Sequence, residues 1–266
     1  MNTTHFEQQW SVINNPEYLL QQLRLQEQWI YDRSWDPKYW EYLTRFNDIT
    51  WQVVGKCFAV LEQKENSFSW FSTVVSKVVE KIINDEQLNP SSINVLPNDI
   101  LHEDFLTTSY ELLDVSSENQ SIIFEVVEKE FGSWEDAKII AEKLKEISSK
   151  WIQIAIDDIY ITHESIVAEK SQWLENLELL LSYWYKPDII KLDGEHMNTL
   201  YFNKNNPDYK DLIREYKIRL AEFRSIIGPQ CIIVAEWVNT HEEIAFAESL
   251  WCCGFQWFGL RKLFSK

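Results

Sequence analysis

The stretch WIQIAIDDIY, residues 151–160, is an apolar run that stops on two adjacent carboxylates. The apolar part, from Ile152 to Ile156, has the length and content of a buried β-strand. Asp157 and Asp158 follow it directly, and burying unpaired carboxylates costs several kcal/mol. The stretch therefore predicts a strand whose end lies beside groups that compensate negative charge.

Six more short apolar runs alternate with longer amphipathic segments from residue 51 onward: WQVVGKCFAVL, SINVL, SIIFEVV, PDIIKL, CIIVA and GFQWFGL. Helix-end signals lie between several of them: Ser133 as an N-cap, Gly228-Pro229 as a stop, and the capping-box pair Thr240 and Glu243. Alternating strands and helices predict a mostly parallel sheet, either an open doubly wound sheet or a closed (β/α)8 barrel. These runs give seven strand candidates, and an eighth is expected near residues 45–60.

The first fifty residues carry helix-start signals instead of alternating apolar runs. Asn15-Pro16-Glu17 and Asp36-Pro37 each resemble an N-cap followed by proline at the first helical position. They predict a helical N-terminal extension over residues 1–50, followed by a barrel domain over residues 51–266. The tryptophan-rich helices of this extension are expected to pack on the barrel, with contact to a protein partner as the alternative.

Composition limits the classes of function and location. A net charge of −17 argues against binding the phosphate backbone of long nucleic acids, although bound metal ions can reverse the charge of one cleft. No apolar run is long enough to span a bilayer, and the start MNTTHFEQQW lacks the pattern of a signal peptide. Four cysteines without a CxxC pair predict a reducing cytoplasm.

Polar side chains stand at or just beyond the C-terminal end of six of the apolar runs: Asn94, Glu125, the pair Asp157 and Asp158, Lys191, Glu236 and Gln256. The C-terminal ends of parallel strands form one mouth, so these groups are expected to converge there, with the lysine facing solvent. Oxygen ligands favour Mg2+ or Mn2+, and two such ions about 3.5–4 Å apart are the usual apparatus for attack on a phosphodiester.

Each of these residues also has a simpler interpretation. Taken alone, Asp157-Asp158 is more typical of a solvated strand end or a helix N-cap than of a metal site. Lys191 with Asp193 has the form of a surface salt bridge, which stabilises little. No P-loop, GxSxG, GxGxxG or HExxH motif competes, and the five histidines fit no metal-binding spacing. The convergence of six strand ends therefore favours the metal site.

The same stretches, taken in order, resemble the motifs of the EAL domain family over roughly residues 90–260. The matching stretches are INVLP, FEVVEKE, AIDDIY, PDIIKLD, IIVAEWVNTHEE and CGFQWFG. The resemblance implies a TIM-like (β/α)8 barrel and a bacterial phosphodiesterase that opens cyclic di-GMP to pGpG. It also implies a site for two Mg2+ or Mn2+ ions at the strand ends, and a homodimer formed near that mouth.

The resemblance also implies roles for single residues. Asn94, Glu125 and Asp157 would hold metal, and Asp158 would help to hold the second ion. Lys191 would orient the attacking water or stabilise charge on the phosphate, and Glu236 would serve the metals and proton transfer. Gln256 would contact the ligand, and Glu128 would support the loop after its strand.

Two departures from the family pattern leave a second function open. The loop after the double aspartate reads IYITHES, without the family's Gly-Thr-Gly. The naming Glu-Ala-Leu motif is not recognisable, with Glu17, Cys57 and Phe58 near the candidate positions, and losing its glutamate would remove one metal ligand. The alternative to the enzyme is a catalytically inactive EAL-like module that binds cyclic di-GMP or a protein partner.

Overall fold

Eight strands form a closed barrel in chain order. The computed structural model describes residues 14–32, 34, 36–47, 51–84, 90–116, 121–127, 131–159, 179–183, 186–202, 207 and 209–256. The strands are β1 (Leu23–Asp32), β2 (Pro37–Phe46), β3 (Ser91–Val95), β4 (Ile122–Val126), β5 (Ile152–Ile159), β6 (Ile189–Leu192), β7 (Ile232–Glu236) and β8 (Gly254–Gln256). The predicted barrel is therefore confirmed, and the open sheet is not the architecture.

Strand direction gives the barrel one well-defined mouth. β1 runs antiparallel to both of its neighbours, β2 and β8, whereas every pairing from β2 round to β8 is parallel. Seven strands therefore end at the same rim. The described helices are α1 (Pro16–Gln22), α2 (Trp51–Leu61), α3 (Lys64–Asn84), α4 (Pro97–Leu101), α5 (Phe105–Val115), α6 (Trp134–Ser148), α7 (Gly194–Phe202), α8 (Tyr209–Ile227) and α9 (His241–Ser249).

Helix ends follow the local sequence signals. The Ser133 hydroxyl accepts a hydrogen bond from the Asp136 amide at 3.2 Å, and Thr240 Oγ1 accepts one from the Glu243 amide at 3.1 Å. α8 stops before Gly228, whose φ of 101° lies in the left-handed region that glycine adopts without strain. None of the described helices has the length and apolar content that crossing a bilayer requires.

The helical prediction for residues 1–50 is wrong over most of the described part of that segment. β1 and β2 occupy it, so the barrel begins at Leu23 rather than at residue 51. Asp36-Pro37 starts a strand, where proline is tolerated at the first residue, and the aromatic run after it favours a strand. Only α1 is helical in this part, and residues 1–13 lie outside the described residues.

The run WQVVGKCFAVL was also misassigned, because it forms α2 and not a strand. One face of this helix packs against α1 and the end of β2. The contact forms a small buried cluster of Cys57 and Leu61 from α2, Leu19 from α1 and Phe46 from β2. A short apolar run cannot be told from a buried helix by content alone. The hairpin of β1 and β2 supplies two strands, in place of this run and of the eighth strand expected near residues 45–60.

The inside of the barrel is filled with side chains and has a definite floor. An apolar layer there consists of Ile30, Tyr39, Ile123, Ala155, Ile189 and Val234. A larger cluster fills the space between the outer faces of the strands and the surrounding helices. The filled interior leaves the polar strand ends as the place where a ligand can enter.

Candidate metal centre at the barrel mouth

Lys191 on β6 is the centre of the polar cluster at the mouth. Its Nζ lies 2.8 Å from a carboxylate oxygen of each of Glu125, Asp157 and Glu236, and 3.4 Å from Glu41 Oε2. The side chain is 1 % exposed, so the expectation of a solvent-facing lysine is wrong. The carboxylates close around the ammonium because each comes from a different strand of the same closed barrel.

Strand periodicity explains why the groups converge. Side chains two residues apart on a strand share a face. Five strands place a residue of the apolar layer in the barrel floor and a charged residue two positions later at the mouth: Tyr39 and Glu41, Ile123 and Glu125, Ala155 and Asp157, Ile189 and Lys191, Val234 and Glu236. One alternation thus produces both the floor and the site.

Glu41 on β2 belongs to this cluster and was not among the predicted residues. It is 3 % exposed, and it accepts hydrogen bonds from Asn94 Nδ2 at 3.0 Å and from Gln256 Nε2. The buried Gln28 lies opposite it on β1. Glu41 was missed because the segment that contains it was interpreted as helical.

A bulge brings both adjacent aspartates to one side. In a regular strand Asp157 and Asp158 would point to opposite faces. The pairing of β5 with β6 shifts register between Ile156 and Ile159, and Asp158 has a φ of 49°. As a result, Asp157, Asp158 and Glu236 each offer a carboxylate oxygen within 4.8 Å of the others.

The electrostatics of the cluster are those of a cation site. Burial, with repulsion from Glu41 and Asp157, raises the pKa of Glu125 to about 8 despite the opposing lysine. Burial likewise raises the pKa of Glu236 to about 7. Burial alone would lower the pKa of Lys191, but the surrounding carboxylates outweigh it and raise that pKa well above its usual value. One ammonium does not balance this many carboxylates, so further positive charge would be stabilised.

Several buried oxygens have no donor within the described residues, and this fits a bound metal. Asn94 Oδ1, Glu125 Oε1 and Gln256 Oε1 are buried and have no hydrogen-bond partner there. Carboxylate and amide oxygens left without donors in a negative cavity are the ligand set of a hard divalent cation such as Mg2+ or Mn2+. The residues present therefore fit the metal that the strand-end pattern implies.

Of the residues predicted for the site, the structure brings together Asn94, Glu125, Asp157, Asp158, Lys191, Glu236 and Gln256. Glu128 lies outside the described residues. Neither Glu17 nor Cys57 supplies the missing glutamate, because Glu17 is exposed on α1 and Cys57 is buried in the small cluster with Leu19. Phe58 packs its ring against Phe46 in the same region.

The architecture has counterparts among solved structures, whereas no protein-family profile and no curated protein matches the sequence. The structure of the EAL enzyme Bd1971 with cAMP and cyclic-di-GMP bound has a TM-score of 0.67 at 18% identity, over 98% of this chain and 67% of that one. The PaMucR phosphodiesterase in complex with c-di-GMP has a TM-score of 0.65 at 21% identity, and the match covers 90% of this chain and 95% of that one. The manganese/cy-diGMP complex of Klebsiella pneumoniae BlrP1 has a TM-score of 0.63 at 20% identity, and the match covers 89% of this chain and 55% of that one.

This barrel has an EAL-like fold. Within the EAL-like barrel, Glu41-Tyr42-Leu43 on β2 has the Glu-x-Leu form of the naming motif. Arg45 follows, with its Nε donating to Gln26 Oε1 at 3.0 Å. The spacing Glu-x-Leu-x-Arg was the signal in the sequence that would have located this strand.

Proposed function

We propose that this EAL-like barrel is a metal-dependent phosphodiesterase that hydrolyses cyclic di-GMP to pGpG. The observation that carries the proposal is the cluster at the mouth, in which Glu41, Glu125, Asp157 and Glu236 surround the buried Lys191. The similar structures include a phosphodiesterase complexed with c-di-GMP and a complex with manganese and the same dinucleotide. Both support the choice of ligand, and the second supports a divalent cation.

The ligand sets of the two ions follow from where the oxygens lie. We assign Glu41, Asn94, Glu125 and Asp157 to one Mg2+ or Mn2+, since Glu41 binds Asn94 and the three carboxylates all contact Lys191 Nζ. Asp158 and Glu236, which lie close to Asp157, would hold the second. Such a pair of ions lowers the pKa of a bound water and stabilises both the attacking and the leaving oxygen of the phosphodiester.

Lys191 and Glu236 would act on the phosphate and on protons. The Lys191 ammonium is held in place by its carboxylate contacts, so its positive charge is fixed before the substrate arrives. Glu236 Oε1 lies 2.8 Å from Lys191 Nζ, and its carboxylate is close to Asp157 and Asp158, a position from which it would serve both the second ion and proton transfer. Gln256 gives its Nε2 to Glu41, and its Oε1 is left to face a ligand.

The alternative, a catalytically inactive module, depended on a missing glutamate. Glu41 supplies a carboxylate at the mouth and removes that reason. The other departure, the loop IYITHES, begins at Ile159 and continues into residues outside the described ones. A homodimer, a protein partner and a cytoplasmic location stay predictions.

The deciding experiment is incubation of purified protein with cyclic di-GMP and Mg2+ or Mn2+, followed by chromatography. We expect pGpG to appear, and Asp157→Asn to abolish it. Asp114→Asn is the matched control, because Asp114 is an exposed aspartate on α5. Equilibrium dialysis that recovers intact bound nucleotide without pGpG would favour the inactive binder. If neither bound nucleotide nor pGpG is found, both the enzyme and the nucleotide-binding module are contradicted, and a module that binds a protein partner is left.

A further inference from the structure

Trp237 directly follows Glu236 at the rim of the mouth, in a backbone conformation that tryptophan rarely adopts. Its φ is 54° and its side chain is 44 % exposed. In this left-handed region the β-carbon crowds the backbone, so a bulky residue there costs free energy that glycine would not. A large apolar side chain is thus held in a strained conformation beside the site and left open to solvent.

The loop that carries Trp237 is fixed by its neighbours. The Val238 amide donates to Gln256 O at 3.3 Å, and Asn239 Nδ2 donates to Trp237 O at 2.8 Å. The Thr240 amide donates to Glu243 Oε2 at 3.1 Å, as part of the capping box of α9. Strained residues persist where such contacts over-determine the backbone, so the backbone conformation at Trp237 is set before any ligand arrives.

Gly194, the first residue of α7, makes room for the indole. A β-carbon at Gly194 would overlap Cγ, Cδ2 and Cβ of Trp237. Gly194 lies just beyond the end of β6, and Trp237 directly follows Glu236 on the neighbouring strand β7, so this contact joins the two strand ends that carry Lys191 and Glu236. Adjacent strands are about 4.8 Å apart, so the backbone of Trp237 is about one strand spacing from the end of β6.

We infer that Trp237 is a binding residue that stacks on a purine base of the cyclic dinucleotide. This inference rests on the proposed function and adds to it the group that would select an aromatic base beside the phosphate site. A fixed, half-exposed indole matches the flat face of a base, and such stacking strengthens binding about 5- to 150-fold per base. The rigid loop means that little freedom is lost when the base binds.

The test is the affinity for cyclic di-GMP of Trp237→Gly, measured by equilibrium dialysis with Ca2+. This ion takes the same oxygen ligands as Mg2+ in less regular geometry. We expect affinity to fall about 5- to 150-fold. Glycine accepts a φ of 54°, so the melting temperature is expected to hold, and a merely structural role would not separate the two readouts.

The matched control is Trp251→Gly. Trp251 has a φ of 63° and is 38 % exposed, but it precedes β8 and therefore lies at the opposite end of the barrel. Its replacement should leave the affinity unchanged. Trp237→Phe should keep part of the affinity, and Trp237→Leu, which has bulk without an aromatic face, should lose about as much as the glycine variant.

The outcomes separate this inference from the function on which it rests. Wild-type binding that Trp237→Gly leaves unchanged would overturn the stacking role alone. An equal loss in the Trp237 and Trp251 variants would also overturn it, because the effect would then be general. Absence of cyclic di-GMP binding by the wild-type protein would overturn both the proposed function and the inference.

Discussion

Glu41 on β2 accepts a hydrogen bond from Asn94 on β3, with 3.0 Å between Oε1 and Nδ2. Its other oxygen accepts from Gln256 on β8 and lies 3.4 Å from Lys191 Nζ on β6. Because Asn94 gives its nitrogen to Glu41, its Oδ1 stays available and has no hydrogen-bond partner within the described residues. One carboxylate therefore connects four strands and fixes the orientation of the Asn94 amide, which leaves its oxygen available to the proposed metal.

Replacing Glu41 by Gln should weaken metal binding without unfolding the protein. The amide of Gln brings donors to a place where Asn94, Gln256 and Lys191 already donate, and it removes one negative charge. We expect Mn2+ affinity to fall at least about 10- to 100-fold by calorimetric titration, since that is the loss when a group that only supports a metal ligand is changed, and Glu41 is proposed as a ligand itself. Glu27→Gln, on the same hairpin but paired with the exposed Lys81, should bind as the wild type does.

Mg2+ or Mn2+ should raise the melting temperature by binding the folded state. At a concentration of 100 times Kd, the gain in free energy of unfolding is about 2.7 kcal/mol. Differential scanning fluorimetry with and without the ion measures it, and Asp157→Asn should lose most of the shift while Asp114→Asn keeps it. Identical melting curves for the wild type in both conditions would contradict a preformed site.

Lys191→Met should destabilise the metal-free protein by about 3–5 kcal/mol, because it leaves buried carboxylates without their cation. Added Mg2+ should recover part of the loss, and so should pH 5, where Glu125 and Glu236 are protonated. Urea denaturation under the three conditions tests this. Lys138→Met removes an exposed ion pair with Glu142 and should cost about 0–1 kcal/mol throughout.

Asp99 should make stability fall as the pH rises. Burial raises its pKa from 3.8 to about 7, against a hydrogen bond from the Leu96 amide. Between pH 3.8 and about 7, Asp99 is protonated in the folded state but ionised in the unfolded state, so the free energy of unfolding decreases as the pH rises through this range. Asp99→Asn keeps an acceptor for the amide, so it should be more stable than the wild type at pH 8 by on the order of 1–4 kcal/mol, and much less so at pH 4.

For Asp99 the measurement is urea denaturation of wild type and variant across this pH range. Glu103→Gln, an exposed carboxylate just beyond α4, is the control and should leave the pH profile unchanged. A difference between Asp99→Asn and wild type that is the same at pH 4 and pH 8 would show that the carboxyl does not titrate in this window.

Gly194→Ala should reveal the packing against Trp237. The added methyl group would overlap the indole, and overpacking of this kind costs about 1–3 kcal/mol. In a Trp237→Gly background the same change should cost about 0.5 kcal/mol or less. Denaturation of the four proteins gives a double-mutant cycle, and additive effects would mean that the two residues do not interact.

Strands β3 to β8 were readable from the sequence because each joins an apolar run to a polar end. Asp157, Lys191 and Glu236 stand where such runs stop, so the mouth could be anticipated. The hairpin was not readable, because inward-facing Gln28 and Glu41 are polar and interrupt the apolar pattern that marks a strand. The polar residues that complete the site are therefore the reason why β1 and β2 were not recognised as strands.

The burial of Lys191 and the common orientation of Asp157 and Asp158 depend on contacts between distant parts of the chain, which the local sequence does not show. Lys191 is enclosed by carboxylates from strands far apart in the sequence, such as Glu41, which is 150 positions away. Asp157 and Asp158 share a side through a local register shift, which depends on how β5 meets β6. Closure of the barrel therefore decided both.

The junction of β1 with β8 has a consequence for how the protein assembles. It consists of three residue pairs, from Ile30 with Gln256 to Asp32 with Gly254, and it joins distant parts of the chain. Glu41 and Gln256 are 215 positions apart in the sequence and meet only when this junction closes. Contacts of such separation form late in folding, because the chain entropy of a long loop is lost before they stabilise anything. We therefore expect the polar pocket at the mouth to be completed late in folding, and a ligand bound there would link the first strands of the barrel to the last one.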